Sequence, residues 1–235
     1  MSKKTIPSDP VPIDPVSKSL ARRGAGRPSA NALQGEKLRE HVISTAAQVY
    51  GQYGYRDTSV ALITKAAGIS RPLFYRLFKN CREVIDTVVA RANESLFMAF
   101  LEVSSNKTDL LAMLSAGIDA YFVWCRSYGA VVGPIYRELN DPESPASVHR
   151  NLIVEKVMHL IQDIVQSHGY PRLDPLLIDT LLRTVEHIGS TTFWPEPQTD
   201  EVVTKNRAIL QRVVMATVAR PEDQHFVPSL ESVCS

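Results

Sequence analysis

Residues 58–78, TSVALITKAAGISRPLFYRLF, constrain this chain more than any other stretch. They read as a short helix, a Gly-Ile-Ser turn and a second short helix. Val60, Ile63, Ala66 and Ala67 recur at helical spacing and give the first segment one apolar face. Thr58 and Ser59 suit its start, because a hydroxyl accepts from a backbone N–H that lacks a partner there. Gly68 supplies the left-handed conformation that ends a helix without a Cβ penalty. Ile69 is placed to plug the angle between the helices and Ser70 to cap the second. Pro72 falls in that helix's first turn, where its missing N–H costs nothing. Such a helix-turn-helix lays its second helix in the DNA major groove. An ordinary helical hairpin in an all-α core is the alternative.

Ala66-Ala67-Gly68-Ile69-Ser70, followed by Leu73-Phe74-Tyr75-Arg76-Leu77-Phe78-Lys79-Asn80, resembles the DNA-binding signature of the TetR family of bacterial repressors. The resemblance covers roughly residues 35–85; the remainder matches only in length and helical character. It implies that Tyr75 and Lys79 bind phosphate and that Thr58 or Ser59 caps the first motif helix against the DNA backbone. At the start of the next helix the family usually carries a lysine, and here the position is Cys81. Either Arg82 reaches the phosphate instead or affinity is lower; for Cys81 itself a bystander is the expectation, with a redox role the alternative, since helix N-termini lower thiol pKa values.

Charge divides along the same line. Up to Arg82 there are 14 Lys and Arg against 5 Asp and Glu, a net of +9; the remainder carries 12 against 20, a net of −8. A basic third joined to an acidic body fits a polyanion-binding module carried on a part with another task. Cys81, Cys125 and Cys234 are widely spaced and form no CxxC or Cys/His cluster, which argues against a disulfide framework or structural zinc. No apolar run approaches the ~20 residues that cross a bilayer, and no hydrophobic segment follows the N-terminal lysines. The expectation is a cytoplasmic protein.

Four regions are expected: a disordered basic arm at 1–31, a helix-turn-helix domain at 32–80, an all-helical ligand-binding and dimerisation domain at 81–220, and a flexible tail at 221–235. The arm is rich in Pro, Ser, Lys and Arg and buries too little apolar surface to order itself. Within it, Arg22-Arg23-Gly24-Ala25-Gly26-Arg27-Pro28 is similar to an AT-hook, in which an arginine such as Arg27 enters a narrow minor groove. A solvated tail with diffuse attraction to phosphate is the alternative. The first helix begins at Glu36, with Leu38, Val42, Ala46, Val49, Tyr50 and Tyr53 on one face and Gly54 at its end. A fourth helix runs from about Cys81 to Val103. Further helices follow over 110–128, around Ile153 to Ile164, from Pro175 to the Trp194-Pro195 stop, and over 200–219, with breaks at Gly133-Pro134 and at 141–145. The fold class is all-α, about nine helices.

In the recognition helix Arg71, Leu73, Tyr75 and Arg76 occupy the groove-facing positions, while Phe74, Leu77 and Phe78 point back to their support. Arg71 suits guanine O6 and N7; Leu73 offers apolar contact to a thymine methyl. The predicted DNA contacts are thus Arg27, Thr58, Ser59, Ser70, Arg71, Leu73, Tyr75, Arg76, Lys79 and Arg82. The body shows no HExxH, GxSxG or P-loop pattern, and no catalytic set, metal site or cofactor is expected. By resemblance, Met113, Gly117, Tyr121, Trp124 and Tyr128 line a ligand cavity; packing an ordinary core is the alternative. Also by resemblance, the last two helices dimerise, through Leu177, Leu181, Val185, Ile188, Gly189, Ile209 and Val213.

The expectation that follows is a homodimeric DNA-binding regulator. The resemblance makes it a repressor that binds a palindromic operator and is released by a small lipophilic effector carrying few polar groups. A ligand-independent DNA binder and an all-α enzyme are the rival readings.

Overall fold

The computed structural model describes residues 30–105, 109–195 and 198–229. The arm with Arg27, and Cys234 in the tail, lie outside them. Nine α-helices and one 3-10 turn follow in order: α1 (Ala30–Asp57), α2 (Val60–Ala67), α3 (Arg71–Leu77), α4 (Cys81–Ser105), α5 (Leu110–Ser127), α6 (Gly129–Arg137), α7 (Pro145–Ser167), α8 (Pro175–Phe193), α9 (Asp200–Val218) and the turn Pro221–Phe226. No strand occurs among the described residues, so the chain is all-α as its periodicity indicates.

Helix α1 starts ahead of the expected Glu36. It loses helical geometry at Gly54 (φ 75°, ψ 178°), where only glycine sits without strain. Its apolar stripe, including Val42, Ile43, Ala46 and Tyr50, is fully buried. Tyr53, expected on that stripe, is exposed. One continuous core runs from these residues through Phe74 and Phe78 of the helix-turn-helix, along Val84, Ile85, Val88 and Val89 of α4, into Tyr121, Phe122, Trp124 and Leu210 of the body. The DNA-reading unit and the body therefore share packing.

The Gly133-Pro134 pair does not break the chain. Helix α6 runs through it, with both residues buried. Pro134 lacks the N–H that would have reached the carbonyl of Ala130. That carbonyl instead meets Gly51 of α1, where a Cβ would stand 2.4 Å from its oxygen. The two helices cross at backbone distance, and this tertiary contact sustains a helix that local sequence disfavours. Beyond α9, Tyr170 donates to Asp223 (3.0 Å) and seats the 3-10 turn.

Candidate functional site

The helix-turn-helix is built by its caps. The Ser59 hydroxyl accepts from Leu62 N–H (3.3 Å) and that of Ser70 from Leu73 N–H (3.4 Å). Gly68 adopts φ 65°, ψ 31° between the helices. Phe74 and Phe78 are buried, and the Arg39 guanidinium lies 4.6 Å from the Phe78 ring, so α3 is clamped by its inner face. Its outer face presents Arg71, Tyr75 and Arg76 to solvent, with Lys79 just beyond, while Leu73 is half-buried. These five predicted contacts share one surface.

Thr58 departs from the expectation. It is buried, and its hydroxyl donates to the carbonyl of Gly54 (2.6 Å), so Ser59 alone caps α2 and Thr58 holds the kink. Cys81 turns inward as well: its thiol donates to the carbonyl of Thr58 (3.4 Å), and burial pushes its pKa up. The lowering expected from a helix N-terminus is outweighed, and this is no activated thiolate. Asn80 accepts from Glu83 N–H (2.9 Å) while the Glu83 carboxylate accepts from Lys79 N–H (2.6 Å), a reciprocal cap that starts α4. Arg82 is exposed and donates to the carbonyl of Glu143 (3.0 Å), so the expected phosphate ligand is tied to the body.

Within the body a cavity of about 140 Å³ opens between α4, α5, α7, α8 and α9. Met113, Gly117 and Tyr121 line it, as expected. Trp124 lines a smaller neighbouring space instead, and Tyr128 lines neither. Trp124 stacks between Tyr121 and Tyr128 (ring centroids 6.0 and 5.6 Å) and donates to the carbonyl of Ala92 (2.8 Å), which ties α5 to α4. Phe100 and Val103 of α4, Val157 and Ile161 of α7 and Val214 of α9 complete much of the wall. Its polar side chains are already bonded: the Ser104 hydroxyl donates to Leu101 O, and the Tyr121 hydroxyl pairs with that of Tyr136. A cavity this dry favours an apolar occupant; an engineered apolar void of about this size takes up benzene.

The residues expected at a dimer interface divide. Leu181 and Val185 line the cavity, and Gly189 is buried where a Cβ would meet the Tyr121 hydroxyl at 2.2 Å. Gly189 thus packs inside the protomer, and the half-buried Leu181 and Val185 face the cavity. Leu177, Ile188 and Ile209 are half-buried, and Val213 is exposed, as is Leu176.

Two polar groups, the buried Arg150 and the half-buried Glu138, escaped the sequence reading. Arg150 of α7 is 8% exposed and bonded through Nε and Nη2 to the Glu186 carboxylate of α8 (3.1–3.3 Å). A signal existed: Ala146, Arg150, Ile153 and Val157 fall on one apolar stripe, and so do Ile178, Leu182, Glu186 and Gly189. A lone charge on each buried face marks a pair. Glu138 was the other miss; it accepts from the Tyr50 hydroxyl (3.0 Å), Tyr55 N–H (2.8 Å) and the Ser144 hydroxyl (2.7 Å). Among the described residues, no group of three or more His, Cys, Asp or Glu is placed to hold a metal, and no helix is long and apolar enough to cross a membrane.

Residues 42–88, which hold this helix-turn-helix, match the sequence model of a family described as bacterial regulatory proteins, tetR family. Over 112 residues the chain is 26% identical to the HTH-type transcriptional activator FasR of Mycolicibacterium smegmatis, covering 46% of this chain and 51% of the relative. Over 116 residues it is 33% identical to the HTH-type transcriptional regulator EthR of Mycobacterium tuberculosis, covering 48% and 51%. The chain thus spans about half the length of the curated relatives it matches. Its fold is similar to that of the transcriptional regulator FadR from Bacillus subtilis in complex with stearoyl-CoA, with a TM-score of 0.63, 19% identity and coverage of 74% and 97% of the two chains. The capped helix-turn-helix, the match of residues 42–88 to the family model and the shared helical frame converge on a DNA-binding unit of the tetR-family type carried on a helical body whose fold is similar to that of solved transcriptional regulators.

Proposed function

We propose that this chain is a homodimeric repressor that binds a palindromic operator and is released by a small lipophilic effector. One observation carries the reading: a single helix, α4, meets the helix-turn-helix at Cys81 and lines the apolar cavity at Phe100 and Val103. At 1.5 Å per residue, Cys81 and Phe100 lie roughly 28 Å apart along it. A ligand that requires Phe100 to move thereby biases the position of α3. It does so only by its differential affinity for the two arrangements. Two copies are needed because α3 makes few contacts, whereas a two-fold pair reads successive major grooves. Arg71 and Arg76 supply base and phosphate contacts, Tyr75, Lys79, Ser59 and the backbone N–H groups near Ser70 hold phosphate, and the basic arm adds non-specific attraction.

The test is fluorescence anisotropy with duplexes selected by the wild-type protein from a random pool. Each lost arginine contact is worth ~1–3 kcal/mol, so Arg71→Ala/Arg76→Ala weakens binding by about a hundredfold or more. Unchanged affinity refutes the DNA-reading assignment. Activation on the same operator is a second reading, favoured by the mycobacterial relative described as an activator. Deleting the gene raises a promoter reporter under repression and lowers it under activation.

A further inference from the structure

The apolar cavity has a neighbour. A second space of about 60 Å³ lies between α4, α5, α6, α7 and α8, and Phe100, Tyr121, Val157, Leu182 and Val185 line both. The smaller space differs in chemistry: Arg150, Glu186, Tyr136 and Asn93 all face it. The Tyr136 hydroxyl is engaged by that of Tyr121. Arg150 gives Nε and Nη2 to Glu186, and Nη2 also lies 3.6 Å from Asp179, which is held by Arg183 at 2.7 Å. Among the described residues Nη1 of Arg150 has no hydrogen-bond partner. A nine-tenths-buried guanidinium thus borders a cavity with donors unused.

We propose that the two spaces are one ligand site, and that it takes an uncharged amphiphile: a ring-sized apolar body in the larger space and one acceptor oxygen, a ketone, ester or amide carbonyl, received by Arg150 Nη1 in the smaller. The inference rests on the effector reading above. Charge sets the class of the head group. Arg150 is already neutralised by Glu186 and approached by Asp179, with Arg183 balancing the latter, so a ligand carboxylate enters as an uncompensated anion in a dry site. Burial pushes the Glu186 carboxyl up against the pull of Arg150. A neutral carbonyl accepts from Nη1 and leaves the pair intact. A plain hydrocarbon fills the larger space but leaves that donor unused.

Isothermal titration of the full-length protein with 4-phenylbutan-2-one, butylbenzene and 4-phenylbutanoate tests this. The expected order is ketone about tenfold tighter than hydrocarbon, with the carboxylate weakest. Arg150→Met/Glu186→Met removes both charges together, and in it ketone and hydrocarbon bind equally. Should that variant fail to fold, the infrared carbonyl stretch of the ketone bound to wild type decides, since a bond to the guanidinium lowers its frequency relative to the ketone in hexane. Equal binding of ketone and hydrocarbon to wild type, tightest binding of the carboxylate, or an unshifted carbonyl band overturns the head-group assignment and leaves the effector reading standing. Failure of all three compounds to bind overturns both.

Discussion

Removing the Glu138 carboxylate should loosen the joint between the DNA-reading helices and the body. Glu138 ends α6, yet its side chain serves α1. Its Oε1 accepts from Tyr55 N–H, an amide displaced from the helical ladder by the kink at Gly54, and its Oε2 accepts from the hydroxyls of Tyr50 and Ser144. Tyr50 and Ser144 are both fully buried. In Glu138→Ala these three donors lose their acceptor. Leaving one unsatisfied costs ~1–3 kcal/mol, and water entering the vacated space recovers part of that. A loss of about 3 kcal/mol is expected, which for a chain of this length lowers Tm by roughly 6–12 °C. Glu138→Gln keeps one acceptor for Tyr55 and forces both hydroxyls to turn round, so its cost is about 1–1.5 kcal/mol. Urea denaturation followed by circular dichroism gives both values, and a Tyr50→Phe/Glu138→Gln cycle should show a coupling of about 1 kcal/mol. Hydrogen exchange at the Tyr55 amide should quicken. An alanine variant within 0.5 kcal/mol of wild type would sink the argument, since the hydroxyls of the buried Tyr50 and Ser144 cannot lose their acceptor at no cost.

Gly51→Ala sets helix propensity against packing. Alanine gains ~1 kcal/mol in a helix interior, but its Cβ stands 2.4 Å from a backbone oxygen of α6, and overpacking costs ~1–3 kcal/mol. Net destabilisation of about 1 kcal/mol is expected by denaturation, and a stabilised variant would mean the helices do not cross this closely. The alkaline limb of stability gives another check. Burial pushes the phenols of Tyr50, Tyr121 and Tyr136 above their ordinary value of 10.0. Above that pH the unfolded chain sheds these protons and the folded chain keeps them, so stability falls as pH rises, by ~1.4 kcal/mol per unit for each tyrosine. Tyr50→Phe should flatten that limb, and a slope identical to wild type would contradict the burial. Cys81, buried against Thr58 with its pKa raised, should react with a disulfide reagent at neutral pH far more slowly than free cysteine. Measured in a Cys234→Ser background, a fast phase lost in Cys81→Ser would contradict this.

How much was legible follows from the range of the interactions involved. The helix-turn-helix was readable because Ser59, Gly68 and Ser70 act on their own neighbours within four residues. Most helix ends in the body were marked the same way, as at Ser144, Asp174 and Thr199, each of which caps the helix that follows. Helix α6 was misjudged because what stabilises it through Pro134 is α1, some eighty residues earlier. The stripe of Leu181, Val185 and Gly189 was correctly apolar, but periodicity cannot distinguish a partner subunit from a cavity. For the same reason periodicity does not separate Trp124, which lines the smaller space, from Tyr128, which lines neither. Glu138 and Arg150 show the sharper limit. A polar residue is buried only when distant groups satisfy it, and those partners become neighbours only in the fold.

These long-range contacts bear on how the proposed signal travels. Three links tie the loop between α6 and α7 to the DNA-reading unit: Glu138 to Tyr50 and Tyr55, Asp141 to Arg56 (2.9 Å), and the carbonyl of Glu143 to Arg82 (3.0 Å). The Arg56 and Arg82 links are exposed and screened, so they steer more than they hold, and Glu138 carries the joint. The same loop leads into α7, which brings Val157 to the apolar cavity and Arg150 to its polar neighbour. Helix α7 is tied to α4 in turn, through His149 to Asp86 (3.2 Å) and Lys156 to Glu94 (3.7 Å). Under the effector reading proposed above, a ligand that reseats α7 would act on the helix-turn-helix by two routes, along α4 and through the Glu138 loop. Arg82 lies where they meet. With Cys81 turned inward, Arg82 is a cation near the expected phosphate position, and its Nη1 is engaged by the Glu143 carbonyl. By reciprocity of linkage, an effector that weakens operator binding is itself bound more weakly by the operator-bound protein, by the same free energy.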